Sequence, residues 1–256
     1  MILAIDIGNS NIVLGVFDGD KLLFTSRIST DISMTSDELA VMVSEIFDIR
    51  GIDKTKIDGA AMSSVVPALT RAMAQAVELL SGRPPFIVQP GIKTGLNIRI
   101  DNPSTLGADL LTDCVAAVSL YSRPVIVIDM GTATTMTAVD RDKNILGVAI
   151  MPGVRTALNA LTKNTAQLTQ ISIEAPEKAI GTNTIDSMQS GIVYGNAAML
   201  DGMISRFEKE LGEEAFVVIT GGVSDVISRY VSRKVCHNPH LQLEGLMILY
   251  KKNVKL

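Results

Sequence analysis

Apolar positions gather into two short runs, Ile2–Ile5 and Val125–Ile128, and both run into the same kind of polar turn. The first reads Ile2-Leu3-Ala4-Ile5-Asp6-Ile7-Gly8-Asn9-Ser10-Asn11; the second reads Val125-Ile126-Val127-Ile128-Asp129-Met130-Gly131-Thr132-Ala133-Thr134-Thr135. Each is an aspartate, one apolar residue, a glycine, and then small hydroxyl or amide side chains. Further apolar stretches follow, Ile12 to Phe17 and Met136 to Val139, so each half of the chain opens with a strand–turn–strand hairpin. Backbone N–H groups and hydroxyls in such a turn suit anionic oxygens, and its Asp can hold a cation directly or through water. One copy is usually only a tight turn. Two copies in matching contexts point to a duplicated domain with a phosphate site between the halves.

The remaining pattern fills in an α/β layout. Asp18-Gly19 reads as a hairpin turn leading into a strand from Leu22 to Ile28. Thr35-Ser36-Asp37-Glu38 resembles a capping box ahead of Leu39, Met42, Val43, Ile46 and Phe47 at helical spacing, with Gly51 as the stop. Residues 60–66 read as a buried strand ended by Pro67, a helix follows to about Leu80, and Phe86-Ile87-Val88 is a short strand. After a loop with Gly95, Asn97, Asn102 and Pro103, a helix is expected from Ser104 or Thr105 to Tyr121. The second half starts at Pro124. It carries a long helix from Thr184 to about Leu211, a strand from Ala215 to Ile219, the pair Gly221-Gly222, and a last helix ending near Leu249. No flexible linker interrupts the chain, and the halves divide as residues 1–121 and 122–256.

Composition narrows the picture. A chain of 256 residues, 47% hydrophobic and without Trp, builds its core from Ile, Val, Leu, Met and Ala and offers no stacking surface for bases. With net charge −4 and scattered basic residues, nucleic acid is not the expected partner. No run is long enough to span a membrane and no signal segment leads the chain, so a soluble cytoplasmic protein is expected. Cys114 and Cys236 lack metal or redox spacing and read as free thiols in a reducing compartment. Neither a P-loop nor a dinucleotide-binding glycine motif is present.

Asp109, in Gly107-Ala108-Asp109 near a helix start, is the candidate acceptor for a substrate hydroxyl proton, and the helix terminus is expected to keep it ionised. In a loose phosphoryl-transfer transition state, aiming the oxygen matters more than basicity. Asp113, one turn later, is a weaker candidate read as solvated. The glycine pair 221–222 would let the backbone approach a flat ligand such as adenine. His237 and His240 have no acidic partner nearby and read as surface residues. Gly191, Gly195, Ala198 and Gly202 form a small-residue stripe on the long helix, open to internal packing or to a dimer seam.

Taken in order, these segments resemble the type III pantothenate kinases of the actin-like superfamily. The matching stretches are Asp6–Asn11, Ser63–Pro67, Asn102-Pro103, Gly107–Asp109, Asp129–Thr135, Pro152-Gly153, Thr165–Leu168, Gly181–Thr184, Ser187–Gly191 and Thr220–Gly222. The resemblance implies duplicated actin-like (ribonuclease H-like) domains with a nucleotide cleft between them. It also implies transfer of the ATP γ-phosphate to pantothenate, giving 4′-phosphopantothenate, the first step of coenzyme A synthesis. In that pattern Asp109 is the proton acceptor, and Asp6, Ile7, Gly8, Asn9, Ser10, Asn11, Ile12 and Val13 form the ATP phosphate loop, with Thr132 a further ATP contact. Gly107, Ala108, Asp109 and Thr184 match pantothenate contacts, Thr184 reaching across a homodimer, and Asp129 matches the ligand of a monovalent cation, potassium or ammonium. ATP and magnesium are the expected cofactors. The chain departs from the family at Leu110, where Arg is usual, at Ile100, where Tyr is common, and at Met136-Thr137, where an Asp usually follows the Thr pair. Two other readings stay open: a paralogue phosphorylating another small alcohol, and a nucleotide-binding regulatory protein without catalysis.

Overall fold

The computed structural model describes residues 1–165 and 167–254; Ala166, inside the Thr165–Leu168 segment, lies outside the described residues. In chain order the elements are β1 (Ile2–Ile7), β2 (Asn11–Asp18), β3 (Lys21–Ser29), α1 (Ser36–Ile49), β4 (Gly59–Ser64), α2 (Pro67–Ser81), β5 (Phe86–Ile87), β6 (Asn97–Ile98) and α3 (Ala108–Leu120). They continue as β7 (Val125–Met130), β8 (Ala133–Val139), β9 (Asn144–Pro152), α4 (Val154–Lys163), α5 (Thr184–Leu211), β10 (Phe216–Thr220), α6 (Ser224–Ile227), β11 (Cys236–His237) and α7 (Leu241–Asn253). Contacts divide the chain into two units. Unit 1 holds Met1–Gly95, Asn102–Ala116 and the described chain from Leu241 to Val254, and unit 2 holds Leu96–Asp101 and Ala117–His240.

The sheet of unit 1 has the order β3-β2-β1-β4-β5, with β1 antiparallel to β2 and parallel to β4. Leu3, Ile5, Ile7, Ile12 and Leu14 meet Leu39, Phe47, Leu69 and Met73 of α1 and α2 in one buried cluster. Because side chains alternate along a strand, Ala4 and Asp6 face the opposite side. On that side Gly15, the partner of Ala4, lies against Leu243 of α7. The local signals behave as read: Thr35 and Glu38 form a capping box, Gly19 takes φ +60, and Gly51 follows the end of α1 at φ +67.

Unit 2 repeats this plan. Its sheet runs β11-β10-β7-β8-β9, the counterpart of β5-β4-β1-β2-β3, with β6 added beside β9. Ile126, Ile128 and Met130 pack with Ile192, Val193, Ala197 and Leu200 of α5, so Asp129 faces away from that core. The expected actin-like duplication is therefore present: β-β-β-α-β-α-β in the first repeat, and the same order with two helices, α4 and α5, between β9 and β10 in the second. The duplication also explains why contacts do not divide at 121/122. α3 ends the first repeat and α7 the second, yet α7 buries Leu243, Leu246 and Leu249 while packing on β1, β2 and β4 of unit 1. The residues of α3 fall in both units.

Several elements differ from expectation. Strand β9 and helix α4 went unread. Asn97, read as loop, pairs through β6 with Asn144, where its side-chain amide donates to Asn144 Oδ1 at 3.2 Å. The helix expected from Ser104 begins only at Ala108: residues 103–105 form a 3-10 turn capped by Asn102, whose Oδ1 accepts from Ser104 N at 3.2 Å and Ser104 Oγ at 2.6 Å.

Gly245 of α7 sits so close to α3 that an added Cβ would lie 2.8 Å from Thr112 Cγ2 and closer still to the Thr112 carbonyl oxygen. Backbone cannot swing aside as a side-chain tip can. Gly245→Ala is expected to destabilise the protein by about 1–3 kcal/mol, read as a lower denaturant midpoint at unchanged slope.

Candidate active site

The first acidic turn is tied down through its carbonyl groups. Gly8 N–H donates to Asn11 O at 2.9 Å, Thr30 Oγ1 donates to Gly8 O at 2.6 Å, and Thr30 N–H donates to Ser10 O at 3.1 Å. An added Cβ on Gly8 would press on Asn11 O at 3.2 Å, which suits glycine there. Asn9 and Ser10 are exposed, whereas Ile7 and Ile12 are fully buried and can offer a ligand only backbone. Asp6 is 9% exposed and lies directly beside Ser63 of β4, a fully buried residue whose hydroxyl has no protein partner. Thr30, which clasps the turn from the end of β3, went unread because nothing local to it marks a turn 20 residues upstream.

Asp109 occupies the first turn of α3. Its carboxylate folds back to accept from the Leu110 N–H at 2.8 Å. Gly107 makes that possible: a Cβ there would collide with Asp109 Oδ1. Residue 110 supplies this bond from its backbone, so Leu at this position leaves the geometry of the Asp109 carboxylate intact. The helix terminus does not set the direction of the shift in this carboxyl's pKa. Burial pushes the Asp109 carboxyl above its ordinary range, and the backbone hydrogen bonds offset this only in part. Asp113, read as solvated, is in fact 1% exposed.

In unit 2 the parallel and antiparallel registers set Thr220, Asp129 and Thr135 side by side on β10, β7 and β8, all on one face. Two glycines close in on this turn. A Cβ on Gly153 would lie 2.5 Å from Gly131 O, and one on Gly221 would lie 2.6 Å from Asp129 Oδ1. Thr156 of α4 adds a hydrogen bond to Thr132 O at 2.7 Å, while the Thr132 side chain is exposed. Thr134, Thr135 and Thr137 each carry a buried hydroxyl oxygen without a protein partner. Among the described residues no three His, Cys, Asp or Glu side chains gather as a metal site. One carboxylate among neutral hydroxyl oxygens fits a singly charged hard cation better than a site demanding several carboxylates.

Thr184 begins α5 and is exposed; Asn183 caps the helix, its Oδ1 accepting from Asp186 N–H at 2.9 Å. The internal-packing reading of the small-residue stripe is overturned. Gly191, Gly195, Ala198 and Gly202 are all exposed, and nothing lies within 4 Å of a Cβ added at any of the three glycines. Asp6–Val13 and Gly107–Asp109 thus belong to unit 1, and Asp129, Thr132 and Thr184 to unit 2. Cys114 and Cys236 form no disulfide, and no described helix is long and apolar enough to cross a membrane.

Two repeated units, each ending its first strand on Asp-x-Gly and one carrying a desolvated aspartate behind a glycine, define an actin-like phosphotransferase. Among solved structures, an inorganic polyphosphate/ATP-glucomannokinase from Arthrobacter has a similar fold, with TM-score 0.50 and 16% identity over 97% of this chain and 96% of that one. The family model described as type III pantothenate kinase matches residues 2–206. Type III pantothenate kinases of Dictyoglomus turgidum (44% identical, 99% of this chain and 100% of that one) and Exiguobacterium sp. (40%, all of both) align end to end. The chain belongs to the type III pantothenate kinase family.

The raised Asp109 pKa carries a sign for stability. The fold disfavours ionised Asp109, so the cost is present above the folded pKa and absent once the side chain is protonated in both states. Asp109→Asn is expected to raise Tm by roughly a few degrees at neutral pH, a gain that vanishes near pH 4 and below, as thermal unfolding across pH would read out. Gly107→Ala, by displacing the carboxylate, is expected to lower kcat by about 10²-fold in steady-state assays while shifting Tm little.

Proposed function

We propose that this chain transfers the γ-phosphate of ATP to the primary hydroxyl of pantothenate, with Asp109 accepting the hydroxyl proton. The observation that carries this reading is the Asp109 carboxylate itself. It is partly desolvated, pushed up in pKa, and held by the Leu110 N–H over a glycine that leaves it room. A raised pKa brings a carboxylate closer to the range where a base works well near neutral pH, and the fixed orientation aims the attacking oxygen. Gly107 and Ala108 would contact pantothenate beside it.

The clasped turn from Asp6 to Val13 would cradle the ATP phosphates with Asn9, Ser10 and Asn11, and the Gly221–Gly222 turn would lie against the adenosine. Asp6 would hold the magnesium that accompanies ATP, which when bound supplies charge neutralisation at the phosphates. Asp129, with the neighbouring threonine oxygens, would hold potassium or ammonium, and Thr132 would touch ATP. The exposed stripe on α5, together with exposed Ile180 (84%) and Ile185 (54%), supports a homodimer seam in which Thr184 reaches the partner's pantothenate. The chain would act in the cytoplasm, where coenzyme A synthesis draws on ATP. The duplicated halves would work as two domains.

The test is ATP-dependent phosphorylation of pantothenate with magnesium and potassium. The native chain is expected to turn over, and Asp109→Asn to lower kcat by about 10²–10⁴-fold. A native chain that binds ATP yet leaves pantothenate unphosphorylated would overturn the reading.

A further inference from the structure

The Gly221–Gly222 turn is fastened by a chain of contacts that ends on an exposed histidine. Ser224 is fully buried, and its Oγ lies 2.6 Å from Gly221 O and 2.9 Å from His237 Nε2. A carbonyl oxygen only accepts, so at that separation the single hydroxyl proton sits on the Gly221 side. His237 Nε2 must then carry a hydrogen and donate to Ser224, whether the ring is neutral or charged.

The ring's position is set independently of Ser224. β11 pairs His237 with Ile219, Asn238 N–H donates to Ile219 O at 2.9 Å, and Asn238 Nδ2 donates to the Tyr121 hydroxyl at 2.9 Å. Tyr121 is itself stacked on Phe216 at 4.7 Å. At the other end, Gly221 has φ +99 and backs onto the second acidic turn, where a Cβ would lie 2.5 Å from Met130 N and 2.6 Å from Asp129 Oδ1.

We propose that His237 is a positioning residue: through Ser224 it holds Gly221 against the Asp129 turn and so sets the nucleotide side of the site. This rests on the reading that the Gly221–Gly222 turn takes the nucleotide. Both side chains act on the Gly221 turn, so the effect falls on the nucleotide and not on the proton transfer.

The test measures binding of a non-hydrolysable ATP analogue by calorimetry, together with KM and kcat, in the native chain and in His237→Ala, His237→Gln and Ser224→Ala. His237→Ala is expected to weaken analogue binding and raise KM for ATP by about 3–10-fold, as loss of one hydrogen bond would, with kcat and KM for pantothenate within about twofold. The Gln side chain also presents a donor nitrogen and is expected to restore most of the loss; Ser224→Ala should match His237→Ala, and the double variant should be no worse. Unchanged analogue affinity in His237→Ala would overturn the inference. So would equal losses in the Ala and Gln variants, which would mean that ring bulk and not the hydrogen bond matters. If analogue binding depends on His237 while the native chain leaves pantothenate unphosphorylated, the functional reading fails and the positioning role stands.

Discussion

The seating of α7 on α3 is the contact on which the placement of Asp109 depends. Gly245 brings the two helices together at the backbone of Thr112, one turn beyond Asp109. No side chain separates them, so the position of α3 is set by hard contact and not by adjustable packing. Leu243 and Tyr250 extend the same contact onto Gly15 and Gly59 of the sheet, whose missing side chains leave them room. The last element of the chain therefore fixes the start of a helix more than a hundred residues earlier.

The two repeats have put one plan to different uses. In both, a buried strand ends on an aspartate facing away from the apolar cluster, with a hydroxyl residue beside it on the parallel neighbour: Ser63 beside Asp6, Thr220 beside Asp129. In unit 1 the hairpin partner of Asp6 is Val13, and the turn is clasped by Thr30; in unit 2 the partner of Asp129 is Thr135, and glycines wall the turn. Unit 1 thus presents an exposed amide and hydroxyl loop suited to phosphate oxygens. Unit 2 presents one carboxylate among hydroxyl oxygens, suited to a small cation.

Much of this was legible in the chain. The hairpins, the capping box at Thr35, the long helix from Thr184 to Leu211 and the acidic turns follow from local pattern and turn chemistry, which need no tertiary knowledge. What stayed hidden depends on distant partners. Strand β6 exists because Asn97 finds Asn144. The direction in which the Asp109 pKa is shifted was not legible because a helix terminus is visible in sequence, whereas burial is not. His237 looked idle for the same reason: its partner Ser224 is 13 residues away, in a separate element.

The central claim is that a desolvated Asp109 takes the proton from the substrate hydroxyl, and the pH dependence of kcat/KM for pantothenate tests it most directly. The account predicts an acid limb with an apparent pKa above the ordinary aspartate value of about 3.9, and a residual Asp109→Asn activity that lacks this limb. An acid limb at the ordinary value, or one that persists unchanged in Asp109→Asn, would contradict it.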